Sequence, residues 1–298
     1  MVRAFVLWVI VGALAGPAVA GDLPDVKSQS ACVIDASTGA EIFGKDADEI
    51  RPIASTTKIF VAMAVRQHGL DLEGWTEITK QDAREARGGA RTRLDVGERF
   101  RNRDLLRAML IASDNRAPTA LGRAAGLDRE DLIAAMNAVA KRLHLTRTRF
   151  TDPTGLRGNV STAREMAIAL RAALGDDVLR EIMGDPYEEV VAQGHRRGIG
   201  YGTTNQPLVA HRYEVIGGKT GYTEAAGYCY ITAARLHGKE IVMAFLGAEG
   251  KPTRFADFNR VAAWLDRGAP GAEVDAMDEP PDDAAAPIDL EVRGKVEK

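Results

Sequence analysis

The hydrophobic period of this chain changes twice along its length, and that order constrains the fold more than any other feature. Ala31 to Phe43 reads as two strand-like runs around Asp35-Ala36-Ser37-Thr38-Gly39, a loop of turn-forming residues, and so predicts a β-hairpin. From Asp104 to Leu174 the pattern is helical and rich in alanine. Helices are expected over Asp104–Ile111, Ala117–Ala125, Asp128–Leu143 behind an Asp-x-x-Asp cap, and Ser161–Leu174 with Ser161 or Thr162 as its cap. From Tyr213 the strand period returns in Tyr213–Gly217, Tyr228–Arg235 and Glu240–Leu246, and a helix over Arg254–Leu265 follows. A hairpin, a helical block, then strands and a helix is an α+β order. It predicts an antiparallel sheet assembled from both ends of the chain, with helices on its faces.

One segment stands apart from both blocks. Pro52 and Ser55 introduce an expected helix, Thr56 to Gln67, that is apolar on nearly every side, and His68-Gly69 stops it. A helix of that kind is buried rather than amphipathic.

The ends of the chain bear on compartment. Arg3, the apolar run Ala4–Ala15 and the small residues Ala18-Val19-Ala20 compose a secretory leader, with cleavage expected after Ala20. The apolar run is short for a membrane span. Beyond Arg267 the sequence is rich in proline, alanine and aspartate, with nine acids against three bases from Gly268 onward. That composition predicts a disordered acidic tail. The expected organisation is a leader over 1–20, one folded domain over 21–267 and a tail over 268–298. The product is expected to be periplasmic, with no stable membrane anchor once the leader is removed.

The formal net charge is −3. With the tail set aside the remainder is mildly positive and shows no basic stripe interleaved with aromatics, so nucleic acid is not the expected partner. Cys32 and Cys229 are the only cysteines, both in strand-like runs, and two buried free thiols are expected rather than a bridge. The five histidines match no spaced metal-binding pattern, so no metal and no cofactor is expected.

Chemistry concentrates in three short patterns: Ser55-Thr56-Thr57-Lys58, Ser113-Asp114-Asn115 and Lys219-Thr220-Gly221. Taken singly each has an ordinary meaning. S-x-x-K is usually a capping serine followed by a surface lysine, S-D-N a turn, and K-T-G a glycine-rich bulge. Here, however, Lys58 runs directly into Ile59-Phe60-Val61-Ala62-Met63, an unusual place for a solvated lysine. A spacing of three on a helix puts Ser55 and Lys58 on one face, one turn apart. Burial, the helix dipole and neighbouring cations are expected to lower the lysine pKa until its amine can take the serine proton. Ser113 and Asn115 follow an apolar helix and can be presented from a loop as a proton relay and an amide. Glycines before Lys219 are expected to let a peptide backbone approach the strand edge.

In this order the three patterns match the signature shared by class A β-lactamases and penicillin-binding proteins. Pro52-Ile53-Ala54-Ser55-Thr56-Thr57-Lys58 resembles the active-site segment of the D-alanyl-D-alanine carboxypeptidase/endopeptidase family, the low-molecular-mass penicillin-binding proteins of peptidase family S11. The same likeness extends to Gly217-Gly218-Lys219-Thr220-Gly221-Tyr222-Thr223, to Ala226-Gly227-Tyr228-Cys229 and to the helix opening Ser161-Thr162-Ala163-Arg164-Glu165. It covers about Val26 to Leu265 and lies closest to the short periplasmic endopeptidase branch. The resemblance implies the serine β-lactamase-like fold: a five-stranded antiparallel sheet with flanking helices, an all-helical lobe, and the site between them. It implies a serine-type D,D-peptidase that acts on peptidoglycan stem peptides and binds β-lactams. Ser55 then corresponds to the acylated nucleophile, Lys58 to its general base, Ser113 to the relay and Asn115 to the substrate amide. Lys219, Thr220, Gly221 and Tyr222 correspond to the substrate-binding strand. Lys219 and Thr220 grip a carboxylate there, and the backbone N–H groups of Ser55 and Tyr222 form the oxyanion hole.

Two rival readings remain. A class A-like β-lactamase needs a glutamate, with an asparagine four residues on, to activate the deacylating water. Glu165 is the best-placed acid, but position 169 is Ala169 and Glu165 reads as a helix N-terminal acid. A catalytically inactive wall-binding scaffold need not keep Ser55, Lys58, Ser113 and Lys219 together.

Overall fold

The computed structural model describes residues 23–90 and 92–268. The expected leader and nearly all of the expected acidic tail lie outside the described residues. Along the chain run β1 (Ser30–Asp35), β2 (Glu41–Lys45), β3 (Arg51–Pro52), a 3-10 turn (Ala54–Thr57) and α1 (Lys58–Gln67). Next come β4 (Trp75–Glu77), α2 (Lys80–Glu85), β5 (Arg99–Arg101), α3 (Asn102–Ile111), α4 (Ala117–Ala124) and α5 (Arg129–Arg142). They are followed by β6 (Val160–Ser161), α6 (Ala163–Ala173), α7 (Asp177–Gly184), β7 (Tyr187–Val190), β8 (Ile199–Gly202) and α8 (Gln206–Ala210). The chain then runs through β9 (Glu214–Thr223), β10 (Gly227–Leu236), β11 (Lys239–Ala248) and α9 (Thr253–Gly268).

The period changes of the sequence become two lobes. The sheet lobe is a five-stranded antiparallel sheet in the order β2-β1-β11-β10-β9, so the N-terminal hairpin pairs with the last strand. Both of its faces are buried, and the side chains divide with period two. Ala31 and Val33 of β1, with Met243 and Phe245 of β11, meet Phe255, Phe258 and Val261 of α9. Cys32, Ile34, Val242 and Ala244 point the other way, into the larger core shared with α1 and α6. The helical lobe packs α3, α4 and α5 around α1, whose Lys58 to Val65 are all buried, as its all-round apolar character demands.

The caps follow the expected chemistry. Asp128 Oδ1 accepts from the Asp131 N–H at 2.8 Å to open α5, and Thr162 rather than Ser161 caps α6, accepting from the Glu165 N–H at 3.1 Å. Cys32 and Cys229 are free and buried. They lie on β1 and β10 with β11 between them, and Cys229 is offset two residues from the position in register with Cys32, so they are further apart than two strand spacings of about 9.6 Å and beyond disulfide reach.

Two expectations need correction. The strand expected to end at Gly217 continues to Thr223, so Lys219-Thr220-Gly221 lies within β9 rather than after it. The glycines ahead of it make room for the protein itself. A Cβ on Gly217 would meet Met183 of α7 at 3.0 Å, and one on Gly218 would collide with β10.

Candidate active site

Three segments from different parts of the chain converge on Ser55. The 3-10 turn holds Ser55 with Ala54 at φ +47°, left-handed backbone that an alanine adopts only under constraint. The constraint comes from both sides. Gly155, at φ +84°, is pressed against the Ala54 carbonyl so closely that a Cβ there would lie 2.5 Å from its carbon. On the other side, a Cβ on Gly221 of β9 would lie 2.9 Å from the Ser55 nitrogen. The nucleophile turn is thus clamped between the loop carrying Thr154-Gly155 and the Lys219-Thr220-Gly221 strand.

Lys58 stands at the centre. Its Nζ lies 2.7 Å from Ser55 Oγ and donates to Asn115 Oδ1 at 2.6 Å and to the Thr154 carbonyl at 3.0 Å, which leaves the lone pair of the neutral amine for the Ser55 hydroxyl. The side chain is completely buried, and burial pushes its pKa down to about 7, against the opposing pull of the Asp152 and Asp114 carboxylates. Desolvation is the leading cause of that shift. An amine with a pKa of about 7, neutral in a large fraction of molecules near that pH and 2.7 Å from a hydroxyl, can take that hydroxyl's proton.

Ser113 and Asn115 arrive from the α3–α4 connection. Ser113 takes a left-handed φ of +66°, and its buried Oγ has no hydrogen-bond partner among the described residues. Asp114, between them, points away from the cleft and ties its walls together. Its carboxylate accepts from the Arg93 N–H at 2.8 Å, the Tyr201 hydroxyl at 3.0 Å and the Arg116 N–H at 3.0 Å. It thereby fixes the loop before β5 and the β7–β8 hairpin to the site.

On β9, Thr220, Gly221 and Tyr222 line a cleft of about 810 Å³ beside Ser55. Thr220 Oγ1 shares a 2.6 Å hydrogen bond with Thr204 Oγ1. Lys219 lies behind this surface, 1 % exposed, donating to the Thr220 carbonyl at 2.9 Å. Burial, and then the charges of Lys58 and Arg254, hold its pKa well below the usual lysine value. Arg254, from α9, is buried at the cleft and donates to the Gly221 and Cys229 carbonyls at 2.8 and 3.1 Å. With burial pushing Lys58 and Lys219 toward their neutral forms, the guanidinium of Arg254 is the standing positive charge at this end of the site, suited to a carboxylate.

All eight residues singled out in the sequence therefore gather at one site. Thr154, Gly155 and Arg254 were not anticipated. Asp152-Pro153-Thr154-Gly155 carries only a turn signal, and Arg254 has no local pattern at all. Glu165 goes elsewhere: its carboxylate accepts from the Arg147 N–H at 2.9 Å and the Thr148 hydroxyl at 2.6 Å. It braces a loop rather than facing the cleft.

A two-lobed α+β fold with a serine, a buried lysine and a glycine-bearing edge strand at the lobe boundary defines the penicillin-binding-protein class of serine D,D-peptidases. Comparison with known proteins narrows the class. The sequence profile of peptidase S11, D-alanyl-D-alanine carboxypeptidase, matches residues 18–250. The chain is 33% identical over 245 residues to the D-alanyl-D-alanine endopeptidase of Pseudomonas aeruginosa, covering 82% of this chain and 79% of that protein. It is 30% identical over 246 residues to the D-alanyl-D-alanine endopeptidase of Escherichia coli, with the same coverage. Among solved structures, the Streptomyces K15 DD-transpeptidase superposes with a TM-score of 0.76 at 26% identity, over 82% of this chain and 98% of that one. The D-alanyl-D-alanine carboxypeptidase of Mycobacterium tuberculosis gives 0.77 at 28% identity, over 86% and 97%. The chain belongs to the D-alanyl-D-alanine carboxypeptidase family, peptidase family S11.

Proposed function

We propose that this protein opens D-alanyl bonds of peptidoglycan stem peptides through an acyl-enzyme on Ser55, working in the periplasm. The observation that carries the assignment is the buried Lys58 amine, lowered to about 7 and 2.7 Å from Ser55 Oγ. In this reading Lys58 takes the proton as Ser55 Oγ adds to the D-alanyl carbonyl, and the Ser55 and Tyr222 N–H groups receive the oxyanion. The C–N bond then breaks, and the leaving amine takes its proton from Lys58 through Ser113 Oγ. Water next adds to the ester and passes a proton to Lys58, and Ser55 leaves with its hydroxyl restored. Asn115 and Thr220 orient the peptide, Arg254 supplies the charge that attracts a carboxylate, and Lys219, whose buried amine an arriving carboxylate would favour in its protonated form, helps to hold it. The leader-like residues 1–20 support the periplasmic setting.

The finer reading is endopeptidase action on D-alanyl cross-links, with weaker carboxypeptidase action on free D-Ala-D-Ala ends. Its support is the similarity to two relatives named D-alanyl-D-alanine endopeptidases. Incubation with cross-linked dimeric and monomeric pentapeptide muropeptides, read by mass, tests it. Dimers are expected to fall to monomers first. Rapid loss of D-alanine from monomers with dimers left whole would overturn the endopeptidase preference.

A further inference from the structure

The cleft beside Ser55 has walls of unequal charge. Four cationic side chains line it (Arg87, Arg157, Lys251 and Arg254) against one acid, Glu224. Two of the four are engaged. Arg254 is committed to the Gly221 and Cys229 carbonyls, and Arg157 reaches Glu85 at 3.6 Å. Arg87 and Lys251 are exposed, and among the described residues neither has a carboxylate partner. They belong to opposite lobes. Arg87 follows α2 in the helical lobe and leads into Gly88-Gly89, where Gly89 lies directly against the Asn115 amide. Lys251 sits in the turn between β11 and α9 of the sheet lobe. Neither cation is needed to hold its wall in place, since no side-chain hydrogen bond ties either one down among the described residues. A free cation on each side of a cleft that already carries a positive field favours a ligand with negative charge at both of its ends.

We propose that Arg87 and Lys251 are specificity-determining residues that select peptides bearing side-chain carboxylates outside the reacting D-alanyl pair, with one cation acting from each wall. The inference rests on the D,D-peptidase reading and refines its substrate class. Each contact is a solvent-exposed charge pair, worth roughly threefold in kcat/KM and about tenfold for the two together at low salt. The screening length shortens from about 10 Å at 0.1 M salt to about 3 Å at 1 M, so the preference shrinks as salt rises.

The test uses the full chain and two synthetic D-Ala-D-Ala peptides of one length. One carries free side-chain carboxylates, the other the same groups amidated, and both keep the terminal carboxylate. The readout is the ratio of their kcat/KM values for D-alanine release. Within one sample that ratio cancels the fraction of folded enzyme, so a poorly folding variant still reports. The expected wild-type ratio is about ten at low salt and near one at 1 M. Arg87→Gln or Lys251→Gln is expected to lower it to about three, the double variant to about one, and Arg87→Lys to restore it. A wild-type ratio near one, or a double variant that keeps the wild-type ratio, overturns the proposal. Release of D-alanine from neither peptide, together with no cleavage of a D-alanyl cross-linked dimer, would instead sink the D,D-peptidase reading, and this inference with it.

Discussion

Replacing Gly155 by alanine separates the clamp on the nucleophile turn from the chemistry itself. Gly155 is not a reacting group, but its φ of +84° and its contact with Ala54 leave no space for a methyl. A Cβ would lie 2.5 Å from the Ala54 carbonyl carbon and 3.0 Å from the Ser55 nitrogen. Ordinary carbon contacts need about 3.5 Å, so the two segments must part by roughly 1 Å. Two costs follow. Left-handed backbone for alanine, with the displaced turn, is expected to lower stability by about 1–3 kcal/mol. A 1 Å shift of Ser55 relative to Lys58 is expected to slow acylation about 100-fold. Thr154, whose carbonyl accepts from Lys58, is the adjoining residue, so the base moves with the clamp. Single-turnover labelling with a fluorescent penicillin and a calorimetric melt read the two effects. Gly126→Ala is the control. Its φ is +75° with nothing within 4 Å of the added Cβ, so it bears the backbone cost of about 1 kcal/mol without the rate loss. A Gly155→Ala enzyme that acylates as fast as Gly126→Ala would refute the clamp.

Lys58 is neutral above its depressed value of about 7, so the acylation rate is expected to fall about tenfold per pH unit below pH 7 and to level off above pH 8. A rate that stays flat down to pH 5 would exclude it as the base. Lys58→Arg is expected to lose acylation altogether, because a guanidinium stays protonated across that range. Glu165→Gln is expected to lower the melting temperature by weakening the brace on Arg147 and Thr148 while leaving the deacylation rate of a penicilloyl-enzyme unchanged. A deacylation rate reduced 100-fold would restore the β-lactamase-like reading.

The chemistry of this protein was more legible in the sequence than its framework. Ser55, Lys58, Ser113 and Asn115 announce themselves because each needs a particular neighbour at a fixed spacing on a helix or a tight loop. The apolar run after Lys58 pointed to a buried lysine rather than a solvated one. The period-two and period-3.6 blocks gave the sheet and the long helices for the same reason. What was hidden is short or non-local. Helix α2, Lys80–Glu85, buries only Asp82 and has no apolar face to display, although its Thr79–Asp82 capping box was readable. The β7–β8 hairpin has only four residues in each strand and is fixed by Tyr201 reaching Asp114, a contact between distant segments. Strand β9 was cut short because Gly217, Gly218 and Gly221 break the residue pattern of a strand. Their reason lies in α7, β10 and the nucleophile turn pressing against them. Arg254 enters the site from the last helix, where no periodicity marks it.

The most direct test of the account is the position of the covalent adduct. The protein is quenched after brief exposure to a penicillin and, separately, to a D-Ala-D-Ala peptide, then digested with trypsin. Cleavage after Lys45 and Lys58 isolates the segment Asp46–Lys58, in which Ser55 is accompanied by two other hydroxyls, Thr56 and Thr57. The account expects one acyl group per chain with both reagents, localised by fragmentation to Ser55 and absent from Ser55→Ala. An adduct at any other residue, or its persistence in Ser55→Ala, would contradict it.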